Sequence, residues 1–449
     1  MRYSPTNAQT PGHGAEAPRK AIPAVEYNPR SMTTQSTDQR DQFRRLTILI
    51  AVACMDLMGS AMVFPLIPFY ALKFNASPTT IGMIFASFFV AQLISAPIWG
   101  RVSDRYGRRP ALLIGLSGSA AGFLMFGFAD SIGLLFVSRI VQGLGGGTTG
   151  VTQAYVGDTV PPEDRARSLG WLSAGTNVGT MIGPVIGSFA SYWGQEAPGI
   201  IAASLCIVNV FFAWKWLPES MPKHDPLAAK RKPVWHGVWS VVRHPAGRVQ
   251  RLTVIYSVSM LAFSSLSAVL ALYLGAEFGV TERTIGYVFL YIGVFSVIMR
   301  SALIGPVVDR IGEHWSIRAG AACLILGMLS YPAATSLWML ALTVPLVPIG
   351  TALLFPATTA LMSRASEKSE LGTTMGIAQT FAGLARVAAP LCATALFQGF
   401  GHAAPFYFAA GIVGLVSILA FQVDLPAPVE SVPLVPSSTA GPAADRVVD

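Results

Sequence analysis

The sequence predicts an all-α polytopic membrane protein with twelve transmembrane helices in two pseudo-symmetric six-helix bundles. First, 52% of the 449 residues are hydrophobic and only 12% are charged, too few to cover the surface of a soluble protein of this size. Second, long uncharged runs alternate with short segments that hold most of the Lys and Arg. Third, a charged segment at 100–110 recurs at 305–314, which indicates a duplicated chain.

A membrane span needs about 20 apolar residues to cross ~30 Å of hydrocarbon. The first six predicted spans, each bounded by Gly, Pro or charged clusters, are 45–71, 79–100, 109–128, 132–154, 167–192 and 198–216. The other six are 251–275, 283–304, 315–333, 337–361, 372–398 and 403–421. The predicted organisation is therefore a disordered tail 1–42, a bundle 43–217, a basic linker 218–250, a bundle 251–423 and a disordered tail 424–449.

The basic residues between spans predict the orientation in the membrane. Nearly all of them fall in the loops 101–109, 157–168, 217–251, 300–318 and 362–371. These loops are expected to be cytoplasmic, and an even number of spans then puts both termini there too. The net charge of +8 is accordingly assigned to contact with anionic lipid headgroups, and no nucleic-acid partner is predicted.

Metal, disulfide and enzyme chemistry find no support in the sequence. The four cysteines lie within apolar runs without CxxC spacing, and the six histidines show no zinc-site spacing. No Ser/His/Asp set is recognisable, and the Gly145–Gly147 run lies inside a span, not after a strand. We therefore predict no cofactor and no enzymatic activity.

The charged turn, residues 100–110, connects spans 2 and 3. Gly100 and Gly107 permit a tight turn, and the Asp104 carboxylate can bind Arg108 or the exposed amides of a helix N-terminus. A simple basic stop signal would explain the arginines but not the spacing or its echo at 305–314. The predicted gating residues are Gly100, Asp104, Arg105, Gly107, Arg108, Arg109 and, in the echo, Asp309 and Arg310.

The charged turn resembles the signature of the major facilitator superfamily between its helices 2 and 3. Two further segments resemble that superfamily: Arg139-Ile-Val-Gln142-Gly143, and Gly179-x3-Gly183-Pro184-x2-Gly187, which is typical of its proton-coupled antiporters. The finer likeness is to tetracycline-efflux-like drug exporters, through Asp56 to Pro68, Glu163 to Ser168 and Leu217 to Ser220. Those exporters carry an acidic residue in helix 3, whereas 111–128 contains none and Gly122 falls about there.

Asp56 is the only carboxylate inside any predicted span, and it lies about ten residues into the first. An unpaired charge at mid-bilayer costs several kcal/mol, so the side chain must face a cavity, be paired or be protonated. We interpret Asp56 as the proton-binding residue. The alternative is a structural carboxylate that braces helix 1.

Two arginines lie deep within spans and remain charged there. Arg139 is predicted to pair with Asp56 or to tune it, with an interhelical hydrogen-bonding role as the alternative. Arg386, four residues before Pro390, is predicted either to contact an anionic substrate or to cap carbonyls freed near the proline.

The remaining candidates are uncharged. Glycines at four-residue intervals in span 5 predict close packing against another helix, and the family resemblance adds a seal against proton leak: Gly179, Gly183, Pro184 and Gly187. Polar side chains that either join helices or line a substrate cavity are Gln92, Gln142, Gln153, Asn177 and Gln379.

The resemblance implies a secondary active transporter that exports a small amphipathic compound in exchange for protons, by alternating access. A proton-coupled importer or facilitator, and more remotely a non-transporting receptor or scaffold, are the alternatives. The expected partners are the substrate, protons and the lipid bilayer, the expected state is monomeric, and the expected location is a bacterial inner membrane.

Overall fold

A computed structural model describes residues 29–220, 247–300, 304–366 and 371–421. The chain divides into a short unit, residues 1–44, and a large unit, residues 45–449, which contains all of the predicted spans. The predicted C-terminal tail and most of the predicted linker lie outside the described residues. The predicted N-terminal tail is helical from Pro29 onward, which the sequence permits because residues 30–58 contain neither Gly nor Pro.

The first half of the large unit, residues 45–220, consists of helices joined by short turns. In chain order they are α1 (Pro29–Val63), α2 (Ile67–Lys73), α3 (Pro78–Tyr106), α4 (Arg108–Gly127), α5 (Ile132–Gly145), α6 (Thr149–Thr159), α7 (Arg165–Ala190) and α8 (Ala197–Trp216). Short 3-10 turns, Phe64–Leu66 and Gly146–Thr148, join α1 to α2 and α5 to α6.

The second half, residues 247–421, repeats this pattern. Its helices are α9 (Arg248–Phe278), α10 (Ile285–Ile298), α11 (Ile304–Ala333), α12 (Leu337–Thr343), α13 (Leu346–Ala365), α14 (Leu371–Phe400) and α15 (Ala404–Phe421). If each of the consecutive pairs α1–α2, α5–α6 and α12–α13 is counted as one helical segment, the described residues contain twelve segments. This number agrees with the twelve predicted spans. Eight of the described helices are long and apolar enough to cross a membrane, and two shorter ones are also apolar.

Serines begin three of the helices by accepting hydrogen bonds from backbone amides that lack a partner in the first turn. Ser77 accepts from the Thr80 amide at 3.2 Å, Ser131 from Leu134 at 3.4 Å and Ser336 from Met339 at 3.2 Å. We call the end of the bundle that carries residues 74–77 and 279–284 the Ser77 end. The opposite end, which carries residues 107–109, is the Arg108 end.

The α5–α6 break forms where glycines bring backbones into contact. An added Cβ on Gly145 would lie 2.6 Å from the Gly115 carbonyl oxygen of α4. Side chains of α3 bond the carbonyls around this break: Gln92 Nε2 to Gly146 at 3.2 Å and Trp99 Nε1 to Leu144 at 2.6 Å. Gly145 and Gly147 are thus positions of close helix packing.

The repeat seen in the sequence is also a repeat of backbone conformation. Gly107, between α3 and α4, has φ +104°, and its counterpart Gly312 interrupts α11 with φ +78°. L-amino acids with a Cβ rarely adopt such angles, so the glycine is required at both places. Each copy therefore turns the chain at the corresponding glycine.

Many large apolar side chains face outward. Trp338 is 85% exposed, Leu342 82% and Phe400 81%, and exposed Ile and Leu residues recur along several helices. A soluble protein of this size rarely exposes such extensive apolar surface, whereas lipid tails solvate it. The architecture is that of an integral, multi-pass membrane protein.

Candidate functional site

Asp56 is half-buried in α1, where the helix packs against α4 and α8. An added Cβ on Gly59, one turn further on, would lie 3.7 Å from Cys206 Sγ of α8 and 3.3 Å from the Phe123 ring of α4. Asn209, also on α8 and fully buried, donates from Nδ2 to the Val52 carbonyl at 2.9 Å. The Val52 carbonyl is the one that the Asp56 amide reaches in the helix. The carboxylate therefore belongs to the interior of the first half.

Arg139 and Asp56 form no ion pair in the described part of the chain. Between them, Gln142 Nε2 of α5 donates to Ser60 Oγ of α1 at 3.2 Å, which fixes the register of the two helices. Asp56 lies one turn from Ser60 and Arg139 one turn from Gln142, in opposite directions. At 1.5 Å per residue they are separated by about 10 Å along the helix axes.

The Arg139 guanidinium is buried and stacks over the Phe126 ring of α4, 4.9 Å from its centroid. Phe126 in turn stacks on Tyr70 at 4.9 Å. The Arg139 side chain donates from Nε to Ser138 at 3.3 Å, and its Nη2 has no partner among the described residues. The predicted interhelical hydrogen bond is thus replaced by a contact between a cation and an aromatic face.

Three buried polar atoms around Asp56 and Arg139 lack a hydrogen-bond partner among the described residues. They are Arg139 Nη2, Gln142 Oε1 and Asn209 Oδ1. Buried polar groups are nearly always satisfied, so such a cluster is costly and marks a place where a proton, a water or a rearrangement supplies the missing bonds. On α5, the donor Arg139 Nη2 and the acceptor Gln142 Oε1, one turn apart, both lack a partner among the described residues.

The packing at Gly122 explains why no acidic residue occupies that position of α4. An added Cβ there would lie 2.8 Å from the Gln142 backbone nitrogen of α5. No side chain fits at this position without separating α4 from α5. The α4–α5 contact therefore excludes the carboxylate that the tetracycline-exporter resemblance led one to look for.

Arg386 lies half-buried near the middle of α14, in the second half. Gln379, two turns earlier on the same helix, is exposed and donates to Tyr256 Oη of α9 at 3.4 Å. Tyr256 lies within electrostatic reach of Arg386 and packs edge-on against Phe355 of α13, with ring centroids 5.4 Å apart. No hydrogen bond from Arg386 to a carbonyl near Pro390 is found among the described residues, so the predicted cap is not formed.

The other uncharged candidates do not form one cluster. Gln142 bonds to α1 and Gln92 to the α5–α6 break, so both join helices within the first half. Gln153 is exposed and Asn177 half-buried, each without a hydrogen bond to another described residue. The structure thus places both Gln379 and Arg386 near Tyr256, and Gln142 near Arg139, but leaves Gln153 and Asn177 separate.

The charged turn is an ordered ionic network. Arg108, only 7% exposed, contacts Asp104 at 2.5 Å and Asp158 of α6 at 2.8 Å. Glu219, after α8, accepts from the Arg108 amide at 2.8 Å and the Arg109 amide at 3.1 Å, so a carboxylate occupies the α4 N-terminus. Arg109 also donates to the Trp214 carbonyl. A Cβ added on Gly100 would meet nothing within 4 Å, and Arg105 stacks on Tyr106.

The echo is organised differently. Asp309 and Arg310 are exposed and make no ion pair with a described residue. Glu313 instead contacts Arg364, at the end of α13, at 3.0 Å. The two copies share the glycine turn, but only the first holds a buried arginine between carboxylates.

The glycine stripe, defined as Gly175, Gly179, Gly183 and Gly187 of α7, packs directly on the backbone of α1. Added Cβ atoms on the last three would lie 2.2 Å, 2.5 Å and 2.2 Å from the carbonyl oxygens of Cys54, Met58 and Met62. This stripe therefore holds α7 against the helix that carries Asp56. Pro184 lies within α7 in the same segment.

A profile of the Major Facilitator Superfamily matches residues 49–250 and again residues 252–443. The chain belongs to the major facilitator superfamily. Membership makes it a transporter and not an enzyme. The tetracycline resistance protein, class C, of Escherichia coli is 27% identical over 387 residues, 85% of this chain and 96% of that protein. Multidrug resistance protein 2 of Bacillus subtilis (strain 168) is 26% identical over 83% of this chain and 92% of that protein.

Solved transporters share the fold of this superfamily member. The nucleoside transporter NupG superposes with a TM-score of 0.70 at 12% identity, over 84% of this chain and 99% of NupG. The human organic anion transporter MFSD10 gives 0.64 at 22% identity, over 84% of this chain and 99% of its own. At such identities these two likenesses establish the fold alone.

In this major facilitator protein the halves meet closely at the Ser77 end. Gly286, at the start of α10, donates its amide to Ser188 Oγ of α7 at 2.7 Å. Thr79 of α3 donates from its amide and hydroxyl to Gln398 Oε1 of α14, at 3.1 Å and 2.7 Å. These contacts close the bundle at this end between α7 and α10 and between α3 and α14.

An ion pair adds to that closure. Lys73 Nζ, at the end of α2, lies 3.1 Å from Glu282 Oε1 before α10. Burial raises the pKa of the Glu282 carboxyl, but bonds to its own backbone amide and to Lys73 outweigh this and lower the pKa below its usual range. Arg283 stacks on Tyr192, 5.2 Å from the ring centroid.

Several residues of this superfamily member escaped sequence reasoning. Asp158 and Glu219 complete the charged turn, yet they are distant in sequence from it. Asn209 was not predicted, although an amide within an apolar run is a signal that could have identified it. Ser60 and Tyr256 carry no sequence signal that separates them from ordinary helix residues.

Proposed function

We propose that this transporter exports a small amphipathic compound or drug in exchange for protons that enter the cell. The Arg108 end is the cytoplasmic side, because the basic loops lie there. The named relatives include tetracycline and multidrug resistance proteins, which supports export of a drug-like substrate. The conformation described is closed at the outer, Ser77 end.

The observation that carries the proton-coupled mechanism is the surroundings of Asp56. It is a half-buried carboxylate within a membrane span, without an ion-pair partner among the described residues. It lies one turn from Val52 and from Ser60, which bond Asn209 and Gln142 respectively. Such a group is stable in its neutral, protonated form, or when a polar neighbour compensates its charge. Asp56 binds the proton in this proposal.

Arg139 acts on Asp56 through Gln142. Its free Nη2 and the free Gln142 Oε1 would satisfy each other after a change of rotamer, which would release Ser60 from Gln142. A loss of the proton from Asp56 would favour approach of the guanidinium by simple attraction of opposite charges. The membrane potential supplies ~2.3 kcal/mol per charge per 100 mV to drive such a cycle.

The test is D56N in reconstituted vesicles, with tetracycline and ethidium as probes. We expect the variant to lose substrate uptake driven by an imposed pH gradient, while exchange of labelled for unlabelled substrate without a gradient persists. D56E should retain part of the driven uptake, and D130N, which alters an exposed loop carboxylate, should retain all of it. Full proton-driven uptake by D56N would contradict the assignment. Gradient-independent uptake by the unaltered protein would indicate a facilitator.

A further inference from the structure

The face of α14 that carries Gln379 and Arg386 points between the two halves. Gly383 faces Leu93 of α3, 2.9 Å from an added Cβ, and Ala378 and Ala382 pack with Ile255 and Tyr256 of α9. At ~100° per residue, Gln379 and Arg386 fall between these two sides of the helix. Leu384 and Leu391, which are 48% and 36% exposed, lie roughly 120–160° away from Gln379 and Arg386, on the side that faces lipid.

No described carboxylate neutralises Arg386. Among the described residues Arg386 takes part in no ion pair and no hydrogen bond, and it is only half-buried, so part of its side chain remains accessible. The helices around it carry no acidic residue near its depth: α13 and α14 have none, and α3 and α9 have Asp104 and Glu277 only near their ends. A permanent positive charge thus faces an accessible space without a protein partner.

The surroundings of Arg386 suit the rest of an amphipathic ligand. Tyr256, Phe355 and Phe263 form a chain of aromatic contacts, with centroids 5.4 Å and 6.3 Å apart. The Tyr256 hydroxyl and the Gln379 amide add polar groups on the same side. A guanidinium beside an aromatic wall binds a planar apolar body that ends in an anionic group, because its fork matches carboxylate and sulfonate oxygens.

We propose that the second half holds the anionic group of the substrate at Arg386, so that the preferred substrates are amphipathic arenes that carry a carboxylate or sulfonate. The inference rests on the proposed export function and names its substrate class. It also assigns different roles to the two halves, since the first half binds the proton and the second binds the substrate anion. The two charges of the exchange then occupy separate sites.

Matched ligand pairs test this assignment on the purified full-length protein. Naphthalene-2-sulfonate and naphthalene-2-sulfonamide share one body and differ in charge. We expect the sulfonate to bind about tenfold or more tightly than the sulfonamide, by calorimetry and by protection against thermal unfolding. R386Q should remove this preference and R386K, which lacks the fork, should keep part of it. R248Q, an equal change of charge at the exposed start of α9, should keep all of it.

The inference is overturned if the unaltered protein binds both ligands equally or binds neither of them. It is also overturned if a folded R386Q variant keeps the preference for the sulfonate. Thermal unfolding without ligand checks that R386Q folds. Gradient-driven uptake of naphthalene-2-sulfonate, tetracycline and ethidium is measured on the same preparations. Uptake without an anion preference removes only this inference, whereas an anion preference without any driven uptake removes the proposed function.

Discussion

At the scale of single residues, the polar side chains inside the spans divide according to the face of the helix that carries them. Asp56, Gln142 and Arg139 point into the interior of the first half, where three buried polar atoms lack partners among the described residues. Arg386 and Gln379 point between the halves. In the proposed mechanism the first group binds and releases the proton, and the second contacts the substrate.

The charged turn gives a residue-scale prediction on transport. Arg108 is buried between Asp104 and Asp158, whereas Asp309 has no described ion pair. A bond to a charged buried group contributes about 1.5–3 kcal/mol, and the 44% exposure of Asp104 places it at the lower limit. We therefore expect D104N to lower the transport rate by on the order of tenfold.

The matched variant is D309N, for which we expect little change. Uptake rates in vesicles at equal protein content measure both, and the double variant should resemble D104N alone. Equal defects in the two single variants would show that both copies of the turn contribute alike, against the asymmetry of their ion pairs.

At the scale of elements, the seam between α1 and α7 is set by glycine. The carbonyl oxygens of Cys54, Met58 and Met62 occupy the places where side chains of α7 would lie. Helices packed in this way approach more closely than side chains normally allow, and gain dispersion contacts along the whole seam.

A pair of alanine variants on α7 tests the seam. G179A places a Cβ 2.2 Å from the Cys54 carbonyl, so the helices must separate, and we expect a loss of about 1–3 kcal/mol in stability. G170A, on the same helix, meets nothing within 4 Å and should be neutral or stabilising by up to ~1 kcal/mol. Thermal unfolding in detergent compares them. Similar midpoints for both variants would contradict the packing described for Gly179.

At the scale of the whole molecule, the fold was largely predictable, because span length, loop charge and the repeat each depend on local sequence. The charged turn, its echo and the four-residue glycine spacing are likewise local patterns. Whether Asp56 pairs with Arg139 was not predictable, because it depends on helix rotation and register. The Ser60–Gln142 bond sets that register and separates the two charges by about 10 Å.

Alternating access requires the contacts at the Ser77 end to break, which gives a prediction for the whole molecule. The test uses a chain whose four native cysteines are replaced by serine or alanine. In it, K73C and E282C should be joined by a short reducible cross-linker, since Lys73 Nζ and Glu282 Oε1 lie 3.1 Å apart in the native protein. We expect cross-linking to abolish substrate uptake, and reduction to restore it.

The control joins two residues of the same end within one half. His402 Nδ1 and Glu277 Oε1 lie 2.7 Å apart, and both residues belong to the second half, so H402C and E277C should cross-link without loss of uptake. Continued transport by the cross-linked K73C/E282C protein would mean that the halves do not separate there.

The glycine stripe also has a consequence for biogenesis. The seam joins residues about 125 positions apart, such as Cys54 and Gly179, so α1 enters the membrane long before α7 has been synthesised. Until then the carbonyl face of α1 lacks the helix that covers it, and the nascent chain must hold that face beside the translocation machinery or earlier helices. Completion of the first half therefore depends on the arrival of α7, and a chain truncated before α7 is expected to be recognised by quality control as unassembled.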